Sequence, residues 1–240
     1  MTLKMFGEGH DGFRLPHPPL SLRSHLIVEA AICATWKLMV NRGRTGFDLQ
    51  NADEDTVTHE LHERLYDEVF DKGIVEGFDR EIFASVHRDP KVRNFNGDNL
   101  DKMPDLLVDF IDRPAGAMNS QHGLFIECKP VNRRHPAGST YCDAGLIRFV
   151  RGDYAWAMQN AMMVGYAREG YSLNPKLSEA LASNRKVAIP VSSGLAGCPR
   201  SRASAFADQV AISKHQRTFN YVESNLPAGV IVIRHLWLKR

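Results

Sequence analysis

Several common architectures are excluded by what this chain lacks. Its 240 residues hold four cysteines, Cys33, Cys128, Cys142 and Cys198. None has C-x-x-C spacing, so a disulfide scaffold is excluded and free thiols in a reducing compartment are expected. No Cys/His cluster shows zinc-ligand spacing, and no G-x-x-x-x-G-K-[ST] run offers a phosphate-cradling loop. Apolar runs stop short of a membrane span. The opening MTLKMFGEGHDGFRLPHPP lacks the apolar stretch of a signal peptide, which predicts a cytoplasmic protein without membrane partners. Charge of one sign is not in excess: the net value is +2, which argues neither for nor against nucleic acid and leaves only local basic surfaces to consider. Internal repeats, low-complexity tracts and convincing linkers are missing too. With 43% hydrophobic and 24% charged residues, residues 1–240 are expected to form one soluble domain.

The informative stretch runs from Met103 to Val131. Asp105 to Asp112 (DLLVDFID) and Gly123 to Val131 (GLFIECKPV) read as two strands joined by a turn-rich connection. Their polar residues are out of place. Asp105 follows Pro104 at the head of the first strand, and Glu127 and Lys129 interrupt the most apolar part of the second. Residues i and i+2 of a strand share a face, so Glu127 and Lys129 point the same way. A buried charge costs several kcal/mol unless it is paired or holds a metal.

Upstream, residues 1–21 read as an irregular arm and Ser24 to Val40 as a packing helix ending at NRGRTG. A second helix covers NADEDTVTHELHERLYDEVF, with Val57, Leu61, Leu65 and Val69 as its buried stripe. Ranked by angle from that stripe, Glu60 is the acid best placed to reach inward, with Glu54 and Glu68 behind it and Glu63 solvated. EIFASVHR offers a strand that would complete a three-stranded meander. Beyond the hairpin a polar loop carries Arg133, Arg134 and His135. A helix is predicted from about Asp153 to Arg168, preceded by Arg148 and Arg151 and rich in methionine and aromatics suited to a core. Gln159 on that helix either lines the site or is exposed. A short helix or loop at NPKLSEALASN, a strand at Lys186 to Ser193, a helical segment at Ala203 to Lys214 and a strand at Gly229 to Leu238 complete the reading.

An acid-bearing helix, then strands bearing Pro104-Asp105 and Glu127-Cys128-Lys129, then a helix and a strand: this order resembles the PD-(D/E)xK nuclease superfamily. The likeness covers roughly Asp53 to Ser193. It implies a restriction-endonuclease-like α/β fold, a central mixed sheet flanked by helices in α-β-β-β-α-β order. The core would be residues 53–193, with a helical extension over 1–52 and another extension over 194–240. It also implies a metal-dependent nuclease acting on DNA, RNA remaining an alternative, either as a stand-alone enzyme or as the effector of a restriction or antiphage system. Asp105 and Glu127 would hold Mg²⁺ or Mn²⁺ together with the Cys128 carbonyl and a helix acid, assigned here to Glu60. Lys129 would orient the attacking water. The chemistry stands without the likeness: hard divalent cations take carboxylate oxygens, and a bound cation acidifies water and offsets phosphate charge. Arg133, Arg134, Arg148 and Arg151 are candidate phosphate contacts. A homodimer or a partner protein of a defence complex would suit double-strand cutting. Against this stand a non-catalytic nucleic-acid-binding or assembly subunit of the same fold, an unrelated α/β metalloenzyme, and a plain buried ion pair.

Overall fold

The computed structural model describes residues 14–41, 47–168, 170–183, 189–202 and 209–239. Helix α1 (Leu22–Asn41) buries Val28, Ala31, Ile32, Trp36 and Met39. Helix α2 (Glu54–Arg64) starts at Asp53, whose side chain accepts from the Thr56 N–H at 2.8 Å and satisfies one of the open donors of a helix start. A π-helical turn, Leu65–Phe70, continues it. Val57, Leu61, Leu65 and Val69 are each at most 1% exposed, so the expected stripe is the buried one.

Seven strands form one sheet in the order β1-β2-β3-β4-β7-β6-β5. Strands β1 (Phe83–Arg88), β2 (Leu106–Phe110) and β3 (Leu124–Val131) make an antiparallel meander. A π-helical segment, Ala137–Leu146, runs into α3 (Ile147–Arg151) and carries the chain to β4 (Asn160–Ala167), which lies parallel to β3. Helix α4 (Leu173–Ala182) and strands β5 (Val191–Ala196), β6 (Gln209–His215) and β7 (Ile231–Lys239) follow; β7 inserts parallel to β4, and β6 and β5 close the sheet antiparallel. The chain is therefore α/β, with a mixed sheet flanked by helices. Strand β7, from the stretch expected as an extension, lies next to β4 near the middle of this sheet.

Alternation assigns the two faces. Leu106, Val108, Ile126, Met162, Val164 and Leu236 pack in one core with α1 and α2, while Leu107, Phe125, Met163 and Trp237 share a second core with the π-helical segment, α3 and α4. Gly165 is a point of close approach, because a Cβ there would lie 2.6 Å from the Trp237 ring.

Two expectations are corrected. The helix predicted from Asp153 to Arg168 is instead β4 over Asn160–Ala167. A central parallel strand is buried on both sides and so reads as an unbroken apolar run without the alternation of a half-buried strand. The helix lies earlier, across the loop-like AGSTYCDAGLIRFVR. Its stop signal was present as Gly152, whose φ of 74° is left-handed. The helix expected over Ala203 to Lys214 is strand β6 in its described part, and residues 203–208 lie outside the described residues. So do residues 1–13 of the expected arm, 42–46 of the α1 exit and the start of the strand expected at Lys186.

A buried polar chain ties β6, β7 and the π-helical segment together. Tyr141 O–H donates to the Met163 carbonyl at 3.2 Å, which leaves its oxygen to accept from His235 Nδ1–H at 3.0 Å. His235 Nε2 then accepts from Ser213 Oγ–H at 2.7 Å, and Ser213 Oγ accepts from His215 Nε2–H at 2.6 Å. Burial holds His215 down to about 4 and holds His235 well below its ordinary value, so both rings stay neutral. Ser213→Ala would orphan two ring nitrogens. A loss of roughly 1–3 kcal/mol for each is expected from urea denaturation, and unchanged stability would refute the directional chain.

Candidate active site

Strands β2 and β3 pair with Leu106 opposite Ile126, so one step back sets Asp105 beside Glu127. Alternation points Glu127 and Lys129 to the same face as Phe125 and Val131, away from the apolar core that packs against α1 and α2. The Cys128 N–H donates to Asp105 Oδ2 at 2.6 Å and fixes the aspartate against the strand. Lys129 Nζ sits 2.5 Å from Glu54 Oε1, 3.0 Å from Glu127 Oε1 and 3.7 Å from Asp105 Oδ2. Three carboxylates from the α2 start, the β2 head and the middle of β3 thus surround one ammonium. The Cys128 side chain turns the other way, into the core with α1 and α2.

The π-helical segment closes over these groups. A Cβ on Gly145 would lie 3.2 Å from Lys129 Cγ, 3.5 Å from Glu127 Cγ and 2.9 Å from Met163 Cε, so the backbone passes close above both charged stems. From α3 and the turn after it come two further partners of Glu127. Arg148 Nη1 lies 3.1 Å from Oε1, and Tyr154 O–H donates to Oε2. Glu127 is fully buried, Lys129 and Asp105 mostly so, while Glu54 at 33% and Arg148 at 39% side-chain exposure form the accessible rim.

Electrostatics follow from this crowding. Burial, reinforced by the charge of Glu127, pushes the Asp105 carboxyl up to about 7. Burial alone would lower the Lys129 ammonium, but Glu127, Asp105 and Glu54 outweigh it and hold it above its ordinary value. Arg148 is held up in the same way, mainly by Glu127. Burial and Glu127 raise the Tyr154 phenol well above its usual range, so it stays a donor. Three carboxylates face two cations, which leaves one negative charge in excess when all are ionised. Glu127 Oε1, although flanked by both cations, accepts no hydrogen bond, since neither points an N–H along its lone pairs.

The candidates fall into two groups. Asp105, Glu127, Lys129 and Arg148 come together. Glu60, expected as the helix acid, pairs with its own helix: its Oε1 takes the Arg64 Nε at 2.5 Å, one turn along, and Arg64 also reaches toward Glu68 at 3.9 Å. Glu54 is the acid that touches Lys129. The angular ranking failed because the N-terminus of α2, rather than its flank, meets the site. Arg133 and Arg134 are exposed on the loop after β3, where the Asn132 side chain accepts from the Arg134 and His135 N–H groups, and Arg151 is exposed on α3. Gln159 precedes β4 and donates to the His17 carbonyl at 2.7 Å, away from the acids. Tyr154 was missed, for nothing in its spacing ties it to Glu127.

No family model, curated protein or solved structure matches this chain. Among the described residues no group of three or more His, Cys, Asp or Glu converges as a ready metal-binding set, because the carboxylates gather on Lys129 instead. The donor chemistry nevertheless suits a hard divalent cation: the acids are oxygen donors, Glu127 Oε1 has acceptor capacity left over, and the excess negative charge lacks a counter-ion.

Asp105 makes a sign prediction for the metal-free protein. Its folded pKa is raised, so the folded state keeps a proton that the unfolded chain releases between about pH 4 and pH 7. Its contribution to stability is full below the unfolded value and is lost as pH rises through the folded one. The buried neutral His25, His215 and His235 push stability the other way in that window, so the readout is the difference between wild type and Asp105→Asn. In thermal melts the variant should gain stability relative to wild type as pH rises from about 4 to 7. An identical pH profile in the variant would place the titration elsewhere.

Proposed function

We propose that the protein is a metal-dependent nuclease that hydrolyses phosphodiester bonds of DNA. The observation that carries the reading is the convergence of Asp105, Glu127 and Lys129 from neighbouring strands on one face of the sheet, with Lys129 Nζ within 3.7 Å of both acids. The succession α2, β1, β2, β3, π-helical segment with α3, β4 supports it too, being the order that a restriction-endonuclease-like core requires.

Asp105 and Glu127 would hold Mg²⁺, with Glu54 and the Cys128 carbonyl as further oxygen donors. When bound, Mg²⁺ supplies an acidified water and offsets charge on the phosphate. The protein's own groups do the rest. The Cys128 N–H and the Tyr154 hydroxyl keep the two carboxylates from rotating, which preserves a fixed arrangement during reaction. Lys129, released from Glu54, donates hydrogen bonds toward the attacking water and the developing negative charge. Arg148, half-buried at the rim, provides a guanidinium for phosphate oxygens, and the exposed Arg133, Arg134 and Arg151 extend that basic surface.

A second reading is also supported by a specific feature. Glu127 is fully buried and its charge is balanced, as in a structural ion cluster within a non-catalytic binding module. One assay separates the two: incubation with supercoiled plasmid and with single-stranded RNA in Mg²⁺ or Mn²⁺. Cleavage of plasmid that falls on the order of a hundredfold or more in Asp105→Ala and Lys129→Ala, with circular dichroism unchanged, is expected for the nuclease. Glu54→Gln should slow cleavage with little change in melting temperature. Glu60→Gln should instead lower melting temperature while sparing the rate of the folded fraction. A wild-type protein inert on both nucleic acids with either metal would favour the binding module.

A further inference from the structure

A second polar feature lies on the other face of the sheet. His25 of α1 is 7% exposed, yet among the described residues neither ring nitrogen has a hydrogen-bond partner. It lines a half-open cavity of about 210 Å³ between α1, the starts of β4 and β7, and the Cys198–Pro199 loop. Leu20, Pro199, Ile212 and Val232 supply apolar walls, and Leu22, 49% exposed, stands at the mouth. An apolar cavity of roughly 150 Å³ holds one benzene-sized ring, so this volume takes a single ring with a small substituent.

The polar lining sets the chemistry. Arg234 is 4% exposed and its charge is already cancelled: Nε and Nη2 lie 2.7 and 2.5 Å from Glu29 Oε2, and Nη2 also donates to the Pro199 carbonyl at 2.5 Å. Glu29 is itself fully buried and accepts from the Ser201 N–H at 2.8 Å through its other oxygen. Burial, with Arg234 nearby, holds His25 down to about 4, so the ring is neutral and offers one N–H and one bare nitrogen. Asn160 spends its Oδ1 on the Leu20 N–H at 3.0 Å, which leaves its amide to donate. A charged guest would bring uncompensated charge into a buried, balanced site, whereas a purely apolar one would leave His25 unsatisfied.

We propose that this cavity binds a neutral one-ring molecule carrying an amide-like donor and acceptor pair, at a site separate from the acids of β2 and β3. The site does not depend on the nuclease reading, because Asn160 and Arg234 face α1 whereas Glu127 and Lys129 face the opposite side.

The test uses the full chain and three probes of one shape: benzamide, benzoate and toluene. Benzamide should give saturable shifts of the His25 ring resonances and a rise in melting temperature. Benzoate and toluene should bind at least tenfold more weakly. His25→Leu, which stays close to the imidazole in volume and removes both nitrogens, should abolish the preference for benzamide; Ile212→Phe, which fills the cavity from the facing wall and should abolish binding of all three probes, serves if the first variant does not fold. Absence of saturable benzamide binding at millimolar concentration, or equal binding of all three probes, would overturn the proposal.

Discussion

A fully buried carboxylate in the middle of a sheet has to be compensated, and much of the architecture around β3 serves that requirement. Glu127 is reached by Lys129 two residues along its own strand, by Arg148 from α3 and by Tyr154 after it. Arg148 and Tyr154 arrive because the chain passes from β3 through a π-helical segment whose Gly145 lets the backbone lie against the acid. Breaking one member of such a cluster leaves the others as unpaired buried charge, which costs about 3–5 kcal/mol, more than a typical surface contact is worth. The meander that brings Asp105 alongside and the α2 start that delivers Glu54 extend the same compensation. Lys129 is where the two sets of acids meet.

Legibility in the sequence followed the physics of each element. The strand hairpin could be read because Glu127 and Lys129 interrupt an apolar run, and charge in such a run is rare enough to stand out. The α2 stripe could be read because its one buried face imposes a 3.6-residue period. Strand β7 is buried nearly throughout yet was recognised, since IVIRHLWL is β-branched and bounded by Pro227 and Gly229. Strand β4 was not: NAMMVGYA has little β-branching, and methionine and alanine favour helices intrinsically. Its strand state is imposed by pairing with β3 on one side and β7 on the other, which no local window contains.

The site shows the same division. Asp105, Glu127 and Lys129 are separated by fixed strand geometry, so their convergence follows from register and alternation. Glu54 reaches Lys129 across 75 positions of sequence, and its place depends on how α2 crosses the sheet. Periodicity reports which side of a helix is buried but says nothing of which end touches a neighbour. Glu60, correctly read as inward-leaning, met Arg64 on its own helix instead.

The balance of charge separates the two polar sites of this molecule. Around Arg234 one cation meets one carboxylate and the neighbouring histidine is neutral, so the site asks for hydrogen bonds and no further charge. Around Lys129 three carboxylates meet two cations, and burial, reinforced by the charge of Glu127, pushes the Asp105 carboxyl up to about 7. A structural ion cluster gains nothing from an odd carboxylate, since each uncompensated buried charge opposes folding. A cation site gains directly, because the excess negative charge raises affinity for a divalent ion and the folding cost is recovered when it binds. That asymmetry favours a cation-holding centre over an inert salt bridge.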